Sequence, residues 1–134
     1  MDKKTSQYFA DVIISTRSIF EDIEYHTDIT PERAILQIAG KYDLYQIFVT
    51  ELFSDEIRKY RYYVLKENRV VAGFDNAPDP RAIRLRYGKI GREYAGKHIP
   101  HLHLNDKTDI ELTEEMEFSD FIQWMKENII NKNR

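Results

Sequence analysis

Residues 57–74 read Ile57-Arg58-Lys59-Tyr60-Arg61-Tyr62-Tyr63-Val64-Leu65-Lys66-Glu67-Asn68-Arg69-Val70-Val71-Ala72-Gly73-Phe74, and they set the fold class. The first ten alternate: Lys59, Arg61 and Tyr63 fall to one side, Tyr60, Tyr62 and Val64 to the other. That period of two belongs to a strand with one wet and one buried face. Glu67-Asn68 is a two-residue hairpin connection, because Asn tolerates a positive φ, and residues 69–74 form the return strand. Upstream, residues 19–27, 33–39 and 44–53 also have strand character, separated by turns at Asp28-Ile29-Thr30-Pro31 and Gly40-Lys41-Tyr42-Asp43. Short links with no helix between strands require antiparallel pairing.

The two ends read differently. Phe9, Val12, Ile13 and Thr16 lie on one face of a helix over residues 6–17. Phe118, Phe121, Ile122, Met125 and Ile129 repeat at helical spacing, the clearest stripe in the chain. The expected architecture is α+β: a twisted antiparallel sheet of 5–6 strands with an N-terminal and a C-terminal helix packed on one face. As a single domain it divides into a helix over 1–18, strands over 19–75, a basic loop over 76–98, a short strand over 99–104 and a helix over 118–131. Residues 105–117 read as an acidic turn region.

The 134 residues contain no cysteine, which removes disulfides, thiolate metal sites and cysteine nucleophiles. No export signal or membrane span is expected, so the expected location is the cytoplasm. Net charge is −3, yet residues 57–103 hold eleven Lys or Arg against four acids. A basic middle in an acidic chain can attract a polyanion locally; a solvated strand face reads equally well.

Chemistry concentrates after the hairpin. Asp75-Asn76-Ala77-Pro78 is followed by a basic stretch and then His98-Ile99-Pro100-His101-Leu102-His103, which holds three of the four histidines. On a strand His101 and His103 share a face. Such a pair can act as acid and base across one phosphate, one taking a 2′-hydroxyl proton and the other protonating the leaving 5′-oxygen. The candidate catalytic residues are His101, His103, His98, Asp75 and Asn76. Lys59, Arg61, Arg81, Arg84 and Arg86 are candidates for holding the phosphate charge, and Tyr62 and Tyr63 for stacking a base. This scheme needs no metal and no cofactor. A zinc-like site with His98 or Asp75 as third ligand is the alternative chemistry. Asp75 and Asn76 are also good turn formers, and the Tyr60/Tyr62 stripe also reads as cross-strand packing.

These residues together resemble the TumE-type toxins of toxin–antitoxin modules. The resemblance rests on the aromatic strand Tyr60-Arg61-Tyr62-Tyr63, the hairpin, the turn Asp75-Asn76-Ala77-Pro78, the later Pro100-His101-Leu102-His103 and the final helix. It is close over residues 57–104 and loose elsewhere. Where family members place His directly after the Pro, this chain has Asp79-Pro80-Arg81. The resemblance implies a small cytoplasmic toxin acting on RNA, neutralised by a cognate helix-turn-helix antitoxin. A non-catalytic nucleic-acid or partner-binding protein is the alternative, and a homodimer is compatible with either.

Overall fold

A computed structural model describes residues 3–131. One antiparallel sheet of seven strands runs in sequence order: β1 (Glu21–Ile29), β2 (Arg33–Tyr42), β3 (Tyr45–Ser54), β4 (Arg58–Lys66), β5 (Arg69–Asp75), β6 (His101–Leu104) and β7 (Asp109–Leu112). The Glu67-Asn68 turn forms as expected, with φ of 52° and 63°. These left-handed values match the right-handed twist of the flanking strands.

Helix α1 (Lys3–Ile19) and helix α3 (Phe118–Met125), which continues as a wider turn over Lys126–Ile130, lie on one face. Phe9 and Val12 from α1 and Phe121 and Met125 from α3 bury themselves against Tyr60, Tyr62, Val64, Phe74 and Leu102. The α3 start is fixed by a reciprocal pair of bonds between Glu117 and Asp120, each side chain taking the other's backbone N–H. Trp124 closes the stripe edge-on to Phe74 at 5.5 Å.

Two expectations are corrected. The 76–98 segment is not a loop throughout: Pro80–Tyr87 form helix α2, and Arg92–Tyr94 a single 3-10 turn. Asp79 caps α2 by accepting the Arg81 N–H, Pro80 opens it with φ already helical, and Gly88 ends it at φ 78°. Eight residues with only Ala82 and Ile83 buried show too little period to stand out in sequence. The sheet has seven strands rather than five or six, because β7 lies within the supposed turn region; it is a four-residue edge strand with no buried residue.

The face away from α1 and α3 is not bare. Ala82 and Ile83 of α2 pack with Ile99, Tyr94 and Ile110 into a second, small cluster. Ile110 sits opposite His103 in the register, so this cluster covers the histidine end of the open face.

Candidate functional site

The register builds the site. Arg61 pairs with Asp75 and Asp75 with His101; Tyr63 pairs with Gly73 and Gly73 with His103. Residues directly opposite share a face, so Arg61, Tyr63, Asp75, His101 and His103 gather where α1 and α3 are not. Gly73 is required there. A Cβ on it would stand 2.7 Å from the Tyr63 ring, and its absence lets Tyr63 fold over β5 and reach Asp75.

Asp75 is the hub. Its Oδ1 accepts the Ala77 N–H at 2.9 Å and lies 3.1 Å from His101 Nε2. Its Oδ2 accepts the Tyr63 hydroxyl at 2.8 Å and lies 3.6 Å from His103 Nε2. The two Nε2 atoms are 3.1 Å apart. His101 Nδ1 stands 2.6 Å from the Ile99 carbonyl, which only accepts, so that nitrogen carries a proton. His103 Nδ1 faces the Arg81 guanidinium at 3.4 Å, which only donates, so that nitrogen presents its lone pair. All three side chains are buried.

The surroundings drive the two rings apart. Burial opposes the imidazolium of His101, but the Asp75 hydrogen bond and charge and the Ile99 carbonyl outweigh it, and its pKa rises. Burial and the neighbouring His101 charge push His103 down. Burial alone would raise the Asp75 carboxyl; the bond and charge of His101, with Tyr63 and the Ala77 N–H, hold it below the ordinary range. Tyr63, buried beside that carboxylate, is pushed up to about 12.

Among the described residues, Asp75, His101 and His103 are the one group of three whose ligand atoms, all within 4.8 Å of one another, could hold a metal ion. The bond from His101 Nδ1 to a backbone carbonyl suits a metal-bound imidazole as well as a free one.

The remaining candidates separate. Arg61 lies over the Tyr63 ring at 4.8 Å, with Lys107 at 5.1 Å from the same ring. Lys59 alternates with Arg61 on this face and is exposed. Arg81 reaches the site and also donates to the Lys107 carbonyl at 2.7 Å. Arg84 and Arg86 are exposed, farther along α2, and make no contact with the histidines. His98 is apart from the pair, its Nδ1 at 3.1 Å from the Asn76 carbonyl. The Asn76 side chain is spent on β4, accepting the Tyr60 N–H at 3.1 Å and donating to the Arg58 carbonyl at 2.9 Å. It extends the β4–β5 pairing past Asp75 and so positions that carboxylate. Tyr62 as a base platform is corrected: it is 0% exposed on the helix-covered face and stacks on Tyr60 and Phe121.

Sequence reading missed Asp79, whose Oδ2 lies 4.0 Å from His103 Nε2. It also missed a second buried carboxylate. Glu51, 0% exposed, accepts from Tyr62, from Arg58 at 2.9 Å and from Tyr8 at 3.0 Å on the helix-covered face. Its parity with Ile47 and Val49 in β3 was the available signal.

The order of turn, strand and histidines on this sheet agrees with a comparison against known families. The family described as Toxin TumE matches residues 9–129. The chain belongs to that family. It is thus a toxin of a toxin–antitoxin module, with a cognate antitoxin as partner, and the likeness extends beyond 57–104 to most of the chain. No curated protein and no solved structure matches it. No described helix of this toxin is long and apolar enough to cross a membrane.

Proposed function

We propose that this toxin is an endoribonuclease whose reacting centre is Asp75, His101 and His103. The observation that carries the reading is the pair of buried imidazoles 3.1 Å apart, sharing one carboxylate and shifted in opposite directions. Environments that split two titrating groups assign acid and base roles. His101, whose proton is held more tightly, is the proton donor, and His103, whose proton is held less tightly and whose Nδ1 lone pair faces Arg81, is the acceptor.

His103 takes the 2′-hydroxyl proton as that oxygen attacks phosphorus. The P–O5′ bond breaks, and the donor's proton ends on the leaving 5′-oxygen, leaving a 2′,3′-cyclic phosphate and a 5′-hydroxyl. Arg81, beside His103, carries phosphate charge, and Arg61 extends the basic border. Arg81 of α2 reaches His103, and α2 is fastened against β7, beside the histidine strand, by the small Ala82–Ile83–Ile99 cluster. A segment held by so few buried side chains opens cheaply, and RNA enters by lifting it.

A second reading is favoured by the convergence of the ligand atoms of the same three residues. A divalent ion held there would supply an activated water or polarise the phosphate.

The test is incubation of purified protein with a mixed RNA pool, with and without EDTA, beside the His101→Ala/His103→Ala double variant. Cleavage that survives EDTA and vanishes in the variant is the expected result. Cleavage abolished by EDTA and restored by added metal replaces acid–base chemistry with the metal reading. RNA bound but never cut overturns both.

A further inference from the structure

Helix α2 has two sides with different occupants. Its inner side is filled by Ala82 and Ile83 against Ile99. Its outer side and the turn after it expose Leu85 (53%), Tyr87 (41%) and Ile90 (51%), three large apolar side chains within six residues. Cations surround them. Residues 76–100 carry six Lys or Arg and two acids. Both acids are engaged: Asp79 caps α2 and lies 3.6 Å from Arg81, and Glu93 pairs with Lys89 at 3.7 Å. Arg84, Arg86 and Arg92 form no ion pair with any described residue.

From this we infer that the outer side of α2 and the turn to Ile90 are the docking surface for the cognate antitoxin, through an acidic segment carrying at least two large apolar side chains. Unpaired cations ringing exposed aliphatic side chains ask for both features in one ligand. An RNA strand offers phosphates to the cations but no use for an exposed Leu85 and Ile90. The one α2 arginine turned to the histidines is Arg81, and Arg84 and Arg86 remain exposed and without an ion pair among the described residues. A ligand seated there also presses α2 onto the sheet beside His101 and His103. That last consequence rests on the histidine centre being the reacting centre; the docking itself does not.

The experiment measures affinity of the cognate antitoxin for the toxin carrying Leu85→Glu/Ile90→Glu, on an inactive His103→Ala background so that the protein can be produced. Both changed side chains are exposed, so the thermal midpoint stays at that of the parent. Affinity is expected to fall by about 100-fold or more, and Arg84→Glu/Arg86→Glu to weaken it with a reduced salt dependence. In cells, Leu85→Glu/Ile90→Glu in the active toxin should still arrest growth while antitoxin co-expression no longer relieves the arrest. Unchanged affinity overturns the inference. Loss of growth arrest with affinity intact also overturns it, because the patch would then engage the toxin's target. Affinity is read without any cleavage step, so a toxin that never cuts RNA leaves this result interpretable.

Discussion

Tyr62 and Tyr63 are neighbours in sequence and point to opposite faces of the same strand. Each gives its hydroxyl to a buried carboxylate: Tyr62 to Glu51 under α1 and α3, Tyr63 to Asp75 on the other face. The difference lies in the cation completing each cluster. Glu51 is answered by Arg58, whose pKa is raised further by Tyr62 and Glu51 against the opposing effect of burial, and a guanidinium does not give up its proton in a protein. Asp75 is answered by two imidazoles, which titrate near neutrality. The cation of the first cluster keeps its proton, and the cluster ties α1, β3 and β4 together. The second can hold, take and release a proton. One device, a tyrosine on a carboxylate, serves as a fastening on one face and, in the function proposed here, as part of the proton-transfer centre on the other.

The most severe way to break that contrast is on the histidines. His103→Ala should remove growth arrest and lower RNA cleavage about 1000-fold, the scale of a lost general base, while circular dichroism shows a folded protein. Removing the other carboxylate reverses the pattern. Glu51→Ala leaves Arg58 half-buried without its partner and should cost about 3 kcal/mol in urea unfolding, with cleavage per folded molecule unchanged.

Titration sharpens the same contrast. Cleavage should fall on the acid side as His103 gains its proton, at a pH below the ordinary imidazole value of about 6.5, and on the alkaline side as His101 loses its own above it. Stability follows the same groups. The Asp75 contribution is present above the unfolded carboxylate value and is lost as pH falls through its lowered folded pKa. The His101 contribution is full below about 6.5 and is lost as pH rises through its raised folded pKa; His103, shifted down, costs stability as pH falls below 6.5. Stability should therefore peak near pH 6.5 in urea melts, and the peak should flatten in a His101→Ala/His103→Ala protein. Arg58 adds no slope in this range. A smaller effect is expected from Gly73→Ala, whose Cβ displaces the Tyr63 ring at a cost of about 2 kcal/mol in urea unfolding. Tyr63→Phe, losing one hydrogen bond to Asp75, should cost about 1 kcal/mol by the same measurement.

How much of this was legible follows from particular residues. Alternation over 57–66 and the Glu67-Asn68 turn place the central hairpin, and the helical stripe from Phe118 places α3. Asp75, His101 and His103 are visible as a set because a period of two puts both histidines on one face. Lys59 and Arg61 on the Tyr63 side and Val64 on the Tyr62 side already point Tyr62 toward the core, as its packing against Phe121 shows, so reading it as a base platform sets aside a signal the alternation carries. Helix α2 stays hidden because its start and stop signals at Asp79, Pro80 and Gly88 enclose only two buried residues. Strand β7 exists through pairing with β6 more than through its own sequence. Asn76 reads as a turn former, and its work is to hold β5 on β4. The Glu51 cluster is assembled from α1, β3 and β4, a convergence that sequence spacing does not carry.

The most direct measurement compares Asp75→Asn with Glu51→Gln, each removing one charge without changing shape, in RNA cleavage assays at matched folded protein. The account predicts a loss of about 100-fold or more for Asp75→Asn, because His101 no longer keeps its proton, and an unchanged rate for Glu51→Gln. Full activity in Asp75→Asn, or an equal loss in both, would contradict the assignment of the chemistry to the Asp75 face.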